Sequence, residues 1–328
     1  MSDPVLSVRD LVVEFPTRRG TLRALDGVSF DIREGEVLGM VGESGAGKSI
    51  TGQSIIGLIE PPGRIAGGEI HLKGARIDNL ARRQMRRIRG KRIGMVFQDP
   101  LTSLNPLYTV AEQIIETMRT HLEIGEREAR KRAVALLDRV GIPAAERRID
   151  DYPHHFSGGM RQRVVIALAL CAEPELVIAD EPTTALDVSV QAQIIDVLKE
   201  ICAERGASVM LITHDMGVIA ETADRVAVLY AGRMAEIGPV RDIIAAPEHP
   251  YTRGLMGAIP TLTHDSDRLV QIPGAMPRLD NIPQGCAFNP RCPEVFGRCR
   301  EEAPVLVPRG GGRHVSCWLY RRDGGADG

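Results

Sequence analysis

Residues 42–49 read Gly-Glu-Ser-Gly-Ala-Gly-Lys-Ser, which meets the spacing G-x-x-x-x-G-K-S at every fixed position. Each residue type there has a chemical reason. Gly42, Gly45 and Gly47 let the backbone curl until successive N–H groups point at phosphate oxygens, with Ser44 and Ala46 completing the curl. Lys48 supplies a point charge to β- and γ-phosphates, the Ser49 hydroxyl can ligate magnesium, and Ile50 continues the helix whose dipole adds positive potential. Elsewhere, Asp180 closes the apolar run LVIAD and Glu181 follows at once. An acid at the carboxyl end of a buried parallel strand stands at the ligand-binding edge of a sheet. Asp180 is placed to hold magnesium and Glu181 to polarise an attacking water. A third segment, SGGMRQR at 157–163, precedes the apolar run VVIALAL, so Ser157, Gly158 and Gly159 open a helix N-terminus suited to a second anion.

The elements that must position these residues follow from periodicity. Leu6, Val8, Leu11, Val13 and Phe15 alternate as a strand, and so do Val28, Phe30 and Ile32. VLGMV enters the glycine loop as a buried parallel strand, and 49–59 reads as the helix that leaves it. A basic helix is predicted over 80–92 and helical structure over 107–140 and 188–204. RIGMVF, LVIAD, SVMLIT and RVAVLY are further strands. The alternation predicts an α/β domain with a largely parallel sheet and a helical subdomain at about 100–165. From Ile272 onward, proline and glycine become dense enough to argue against long helices and central strands. We therefore place an ATPase-type domain at 1–240 and a small loop-rich extension at 241–328.

With a P-loop, a strand-end carboxylate pair and FSGGM in one chain, the sequence resembles the ATP-binding cassette (ABC) ATPases over about residues 5–235. Their signature is usually LSGGQ, and Met160 departs from it outside the Ser-Gly-Gly core. The resemblance implies a P-loop ABC-type nucleotide-binding domain taking ATP and Mg2+. It also implies that Ser157, Gly158 and Gly159 face an ATP held by a second cassette. By the same resemblance Gln98 is the Q-loop glutamine that contacts magnesium and the membrane partner, and Asp187 belongs to the D-loop. His214 is then the switch histidine reaching the γ-phosphate, and Phe15 the aromatic that stacks on adenine. Lys48, Glu181 and His214 form the expected catalytic set. QDPLTSLNP (98–106), HPYTRGL (249–255) and IPGAMP (272–277) narrow the likeness to the ATPase subunits of bacterial oligopeptide/dipeptide importers. That subgroup implies two membrane permease subunits, a second ATPase (related or a copy of this chain) and an extracellular peptide-binding protein acting through the complex. Similar ATPases serve nickel and glutathione systems, and cargo is chosen by other subunits.

Four of the six cysteines, Cys286, Cys292, Cys299 and Cys317, crowd into the extension. They lack the short C-x₂₋₄-C knuckles of structural zinc sites. A [4Fe–4S] cluster tolerates wider spacing, the extension is poor in large apolar residues, and some members of the subgroup carry such a cluster here. Zinc is the alternative, ordinary packing the third reading. The run ARRQMRRIRGKR (81–92) reads as a solvated face. The formal net charge of -2 argues against a dedicated nucleic-acid binder, as does a single cassette uninterrupted by a coiled coil. No run approaches the length of a membrane span and the N-terminus shows no secretory pattern. The expected location is peripheral, on the cytoplasmic face of the inner membrane.

Overall fold

The structure is a computed structural model that describes residues 4–18, 20–183, 188–257 and 272–320, the side chains of 188–190 excepted. Two compact units emerge, neither continuous in sequence: Met1–Leu6, Asp31–Val37 and His71–Ile212 form the first, and Ser7–Phe30, Leu38–Ile70 and Thr213–Gly328 the second.

In the first unit the strands Ile93–Val96, Leu176–Asp180 and Ser208–Ile212 run parallel in that order, with Val96 opposite Ala179 and Asp180 opposite Ile212. Every residue of the latter two strands is buried. Parallel strands covered on both faces need no polar alternation, which is why they read as continuous apolar runs. The predicted helical subdomain contains Val110–His121, Glu126–Arg139 and Gly158–Leu170. The first of these starts on a reciprocal cap: the Glu112 N–H donates to Thr109 Oγ1 (3.2 Å) and the Thr109 N–H to Glu112 Oε2 (2.7 Å). Ile114 and Met118 on one helix, and Ala129 and Ala133 on the next, are buried at a spacing of four. The predicted basic helix is a correction: only Arg82–Met85 is helical. Arg82 and Arg86, like Arg83 and Arg87, stand four apart with like charge, and a short helix has little cooperative stability to set against that repulsion. All four are exposed, as a solvated face requires.

In the second unit Val37–Val41 runs parallel to Arg225–Tyr230, and Arg233–Pro239 returns antiparallel. The loop-rich extension then departs from expectation. Arg313–Val315 pairs with Arg233–Pro239, and Val307–Gly310 pairs with Arg313–Val315, so the extension adds two strands to this sheet. Pro308 and Gly310 are admissible because their strand is outermost, where the ladder makes few demands. A second sheet, in the order Gly20–Ile32, Leu6–Thr17, Arg64–Leu72, lies largely in this unit.

The segment HPYTRGL has a structural explanation here. Glu236 is wholly buried, and its carboxylate accepts the N–H of Glu248 (3.0 Å), the N–H of His249 (2.9 Å) and Arg313 Nη2 (3.1 Å). Burial pushes the His249 imidazole down to about 3, so it stays neutral, and its Nδ1 accepts the Tyr251 N–H at 3.0 Å. These bonds fix the start of the helix Pro250–Gly257 and with it the position of Tyr251. Among the described residues no helix is long and apolar enough to cross a membrane.

Candidate active site

The second unit carries the glycine loop. The strand Val37–Val41 delivers the chain to Gly42, whose φ of 151° and whose would-be Cβ, 2.3 Å from the Leu229 carbonyl oxygen, both demand glycine. Gly47, at φ 105°, is the N-cap of the helix Lys48–Ile55, and a Cβ there would lie 2.7 Å from Leu25 Cδ2. No side chain caps this helix, so the cap position offers no competitor to an incoming anion. Lys48 is buried within the ring it closes, its Nζ donating to the carbonyls of Gly42 (2.7 Å) and Glu43 (3.1 Å). Ser44 and Gly45 form the exposed rim, and Ser49 and Ile50 are half-buried.

His214 lies in the same unit and is exposed. Its neighbours hold it from both sides. The Thr213 N–H donates to the Met40 carbonyl (3.2 Å), two residues before Gly42, and Asp215 caps the next helix by accepting from the N–H groups of Gly217 (2.8 Å) and Val218 (3.3 Å). Phe15 is half-buried with a ring edge against Gly63, where a Cβ would come within 2.5 Å of it.

The first unit carries the carboxylates. Asp180 is buried at the end of its strand. Glu181 adopts φ 46°, a left-handed conformation that costs a non-glycine residue about 1 kcal/mol or more and recurs at functional sites. Its N–H is anchored on the Ile212 carbonyl (2.9 Å), and its Oε2 accepts from Gln98 Nε2 (3.0 Å). Gln98 and Glu181, 83 residues apart, are thus brought together. Ser157 is the N-cap of Gly158–Leu170, accepting the Met160 N–H at 3.4 Å. Met160 is held too: its sulfur accepts from Arg148 Nη1 (3.4 Å), while the Arg148 guanidinium lies over the Phe156 ring. Asp187 lies outside the described residues.

The four late cysteines are gathered in the second unit. The Cys286 N–H donates to the Cys299 carbonyl at 2.8 Å. Burial, reinforced by the neighbouring cysteines, pushes Cys286 up to about 11 and Cys317 up to about 12, and raises Cys292 as well. Nevertheless, among the described residues no group of three or more His, Cys, Asp or Glu is arranged to hold a metal ion, so the expected cluster and the zinc alternative gain no support from this arrangement.

Local sequence reading missed three residues around the loop: Glu43 itself, Tyr251 and Arg291. The signal available was an acid inside a loop built for anions.

A parallel-strand P-loop with a strand-end carboxylate pair defines a P-loop ATPase, and the ABC transporter family pattern matches residues 25–184. A second family pattern, the oligopeptide/dipeptide transporter C-terminal region, matches residues 235–299. The chain is 49% identical over 318 residues to the dipeptide transport ATP-binding protein DppD of Bacillus subtilis, covering 97% of this chain and 95% of that one. It is 46% identical to the oligopeptide transport ATP-binding protein AppD of the same organism, covering 98% of each. Among solved structures, the ATP-binding cassette MJ0796, in a dimeric post-hydrolysis state bound to ADP and Pi, matches with a TM-score of 0.66 and 30% identity, covering 72% of this chain and 99% of that one. The chain belongs to the ABC transporter ATP-binding family, in its oligopeptide/dipeptide branch.

Proposed function

We propose that this chain is the ATP-hydrolysing subunit that energises peptide import through an ABC transporter, docked on the cytoplasmic face of the membrane. The observation that carries this reading is the coexistence, over nearly the full length of peptide-transport relatives, of the cassette and the peptide-transporter C-terminal region. In this reading 1–240 is the ATPase domain and 241–328 the extension.

The residue roles in this reading are those that the family resemblance implies. Gly42, Ser44, Gly45, Ala46 and Gly47 present backbone N–H groups to the phosphates, Lys48 brings its charge to their outer end, and Phe15 packs on the adenine. Ser49, Asp180 and Gln98 are the residues that would hold Mg2+, an ion that neutralises charge developing on the transferred phosphoryl group. Glu181, oriented by Gln98, accepts the proton of the attacking water, and His214 donates to the γ-phosphate. Ser157, Gly158 and Gly159, with Asp187, serve the ATP of a facing cassette, either a copy of this chain or a related subunit. Two permease subunits and an extracellular peptide-binding protein complete the assembly.

The four late cysteines are proposed as ligands of a structural [4Fe–4S] cluster. Support comes from the donor set alone: four thiols within the extension, the number and type of ligand that such a cluster would take. Anaerobically purified protein should then be brown and hold about four irons per chain; colourless protein without iron overturns this part.

The transport reading is tested by co-purifying the chain with membrane subunits and measuring ATP turnover as peptides and their binding protein are added. Peptide-stimulated turnover, abolished by Lys48→Ala, is the expected result. Turnover that no peptide raises, in a complex that does form, overturns the peptide assignment.

A further inference from the structure

A carboxylate one residue into a phosphate-binding loop is electrostatically misplaced. Glu43 sits directly after Gly42, where a nucleotide's phosphates bring several negative charges. In this chain the extension reaches back and takes hold of it. Arg291 Nη1 donates to Glu43 Oε2 at 2.7 Å and Nη2 to Oε1 at 2.9 Å, a two-pronged pairing of guanidinium and carboxylate. The Arg291 side chain is 7% exposed. Its remaining N–H groups are held by carbonyls of the IPGAMP segment, Pro273 at 2.8 Å and Gly274 at 3.3 Å, and by the Tyr230 hydroxyl at 3.3 Å. Its planar face lies over the rings of Tyr230 and Phe288. The pairing with Glu43 raises Arg291 further above the usual guanidinium range, so it stays charged at all accessible pH.

A second contact holds the same residue by its backbone. The Glu43 N–H donates to the hydroxyl of Tyr251, a side chain with no exposure at all, at 2.8 Å. This N–H is therefore already engaged by a side chain of the extension. Side chain and peptide of Glu43 are both fixed by residues of the extension, and those residues sit in or against HPYTRGL and IPGAMP, two segments that the ATPase chemistry leaves unexplained.

We propose that Arg291 is a positioning residue for nucleotide binding in its own chain. It cancels the Glu43 charge and, with Tyr251, pins the loop in the shape that accepts phosphate, so the extension is a working part of the ATP site. The inference rests on reading residues 42–49 as the loop for ATP phosphates. In that arrangement the guanidinium acts through Glu43 and touches no phosphate. Removing it leaves a bare carboxylate beside the phosphates; removing both charges leaves Lys48 as the one charged side chain of the loop.

The test uses the full-length chain and equilibrium binding of a fluorescent ATP analogue with magnesium. R291M should weaken binding about tenfold or more, and E43Q/R291M should recover to within about threefold of the unaltered protein. Melting midpoints measured beside binding separate this from a role confined to folding: affinity lost by R291M and regained by E43Q/R291M with the folded fraction unchanged is the expected result, and a binding loss that only follows the folded fraction overturns the proposal. R291Q, which keeps neutral donors for the Pro273 and Gly274 carbonyls, guards against misfolding of R291M and should show the same loss; R291K should lose less. Unchanged binding by R291M and R291Q overturns the proposal, and so does a double variant as weak as the single. Lys48→Ala separates the underlying reading: if it binds as tightly as the unaltered protein, the loop assignment fails and the proposal with it. If Lys48→Ala abolishes binding while both Arg291 variants bind normally, only the proposal fails.

Discussion

Two helices in this chain begin on glycine-rich loops, and they are built in opposite ways. At Lys48–Ile55 the glycines are compelled by the chain itself: Gly42 and Gly47 hold positive φ, and neither has room for a methyl group. The loop is held from within, its lysine folded into the ring and its second residue gripped by Arg291 and Tyr251. At Gly158–Leu170 the start is conventional. Ser157 caps it in the ordinary way, and a Cβ on Gly158 would meet nothing within 4 Å. Among the described residues nothing requires glycine at 158. The difference teaches that the first loop is preorganised by its own fold, whereas the small residue of the second leaves room for the proposed triphosphate of a facing cassette.

Four measurements would break or sharpen this contrast. The largest effect belongs to Glu181, the proposed base: Glu181→Gln should lower turnover by roughly 10³-fold with nucleotide affinity retained, because an amide cannot accept the proton of the attacking water. Normal steady-state hydrolysis would remove Glu181 from its role. Next, Gly47→Ala should weaken ATP binding about 100-fold, since its Cβ would displace the loop against Leu25, and the thermal midpoint should drop with it. Gly158→Ala should do the reverse. Binding at its own P-loop and the melting midpoint should hold, while hydrolysis by the paired cassettes falls about tenfold or more as the methyl enters the space of the facing phosphate. A collapse of own-site binding would erase the contrast. Smallest is Ser157→Ala, a lost cap of about 1 kcal/mol, visible as a midpoint lowered by a few degrees in the isolated chain.

Much of the cassette was legible because its chemistry is local. The P-loop, LVIAD followed by Glu181, and Ser157 ahead of an apolar helix each occupy a handful of consecutive residues with characteristic types. The strained φ of Glu181 was not legible, since only the Ile212 anchor across the sheet shows it. The Glu43–Arg291 pair spans 248 residues and leaves no periodic trace. In the extension, proline and glycine argue against long helices and central strands, and Val307–Gly310 is a strand on the outside of its sheet, where proline is admissible; the strand through which the extension joins that sheet, Arg233–Pro239, lies too far along the chain for local pattern to show. The basic run misled in the other direction: seven cations suggested a long helix, but only Met85 and Ile88 turn inward between Arg82 and Arg89, too few to anchor one.

The two strands that the extension lends to the sheet also govern what the chain can afford to lose. Arg233–Pro239 is buried along most of its length, with Glu236 opposite Val315 and Ile237 opposite His314. Cut the chain at residue 240, just after Arg233–Pro239, and this strand would present a row of unpaired amides and carbonyls beside apolar side chains, the kind of border that recruits a like border from another molecule. The native outermost strand is a poor recruiter. It is four residues long, carries Pro308, is irregular between Pro308 and Gly310, and leads into three consecutive glycines, Gly310 to Gly312, all at positive φ. The extension therefore serves as a selvedge, a finished margin that keeps the sheet from being sewn to its neighbours. Trimmed cassettes are expected to precipitate at concentrations where the full chain stays in solution, a difference that light scattering would reveal.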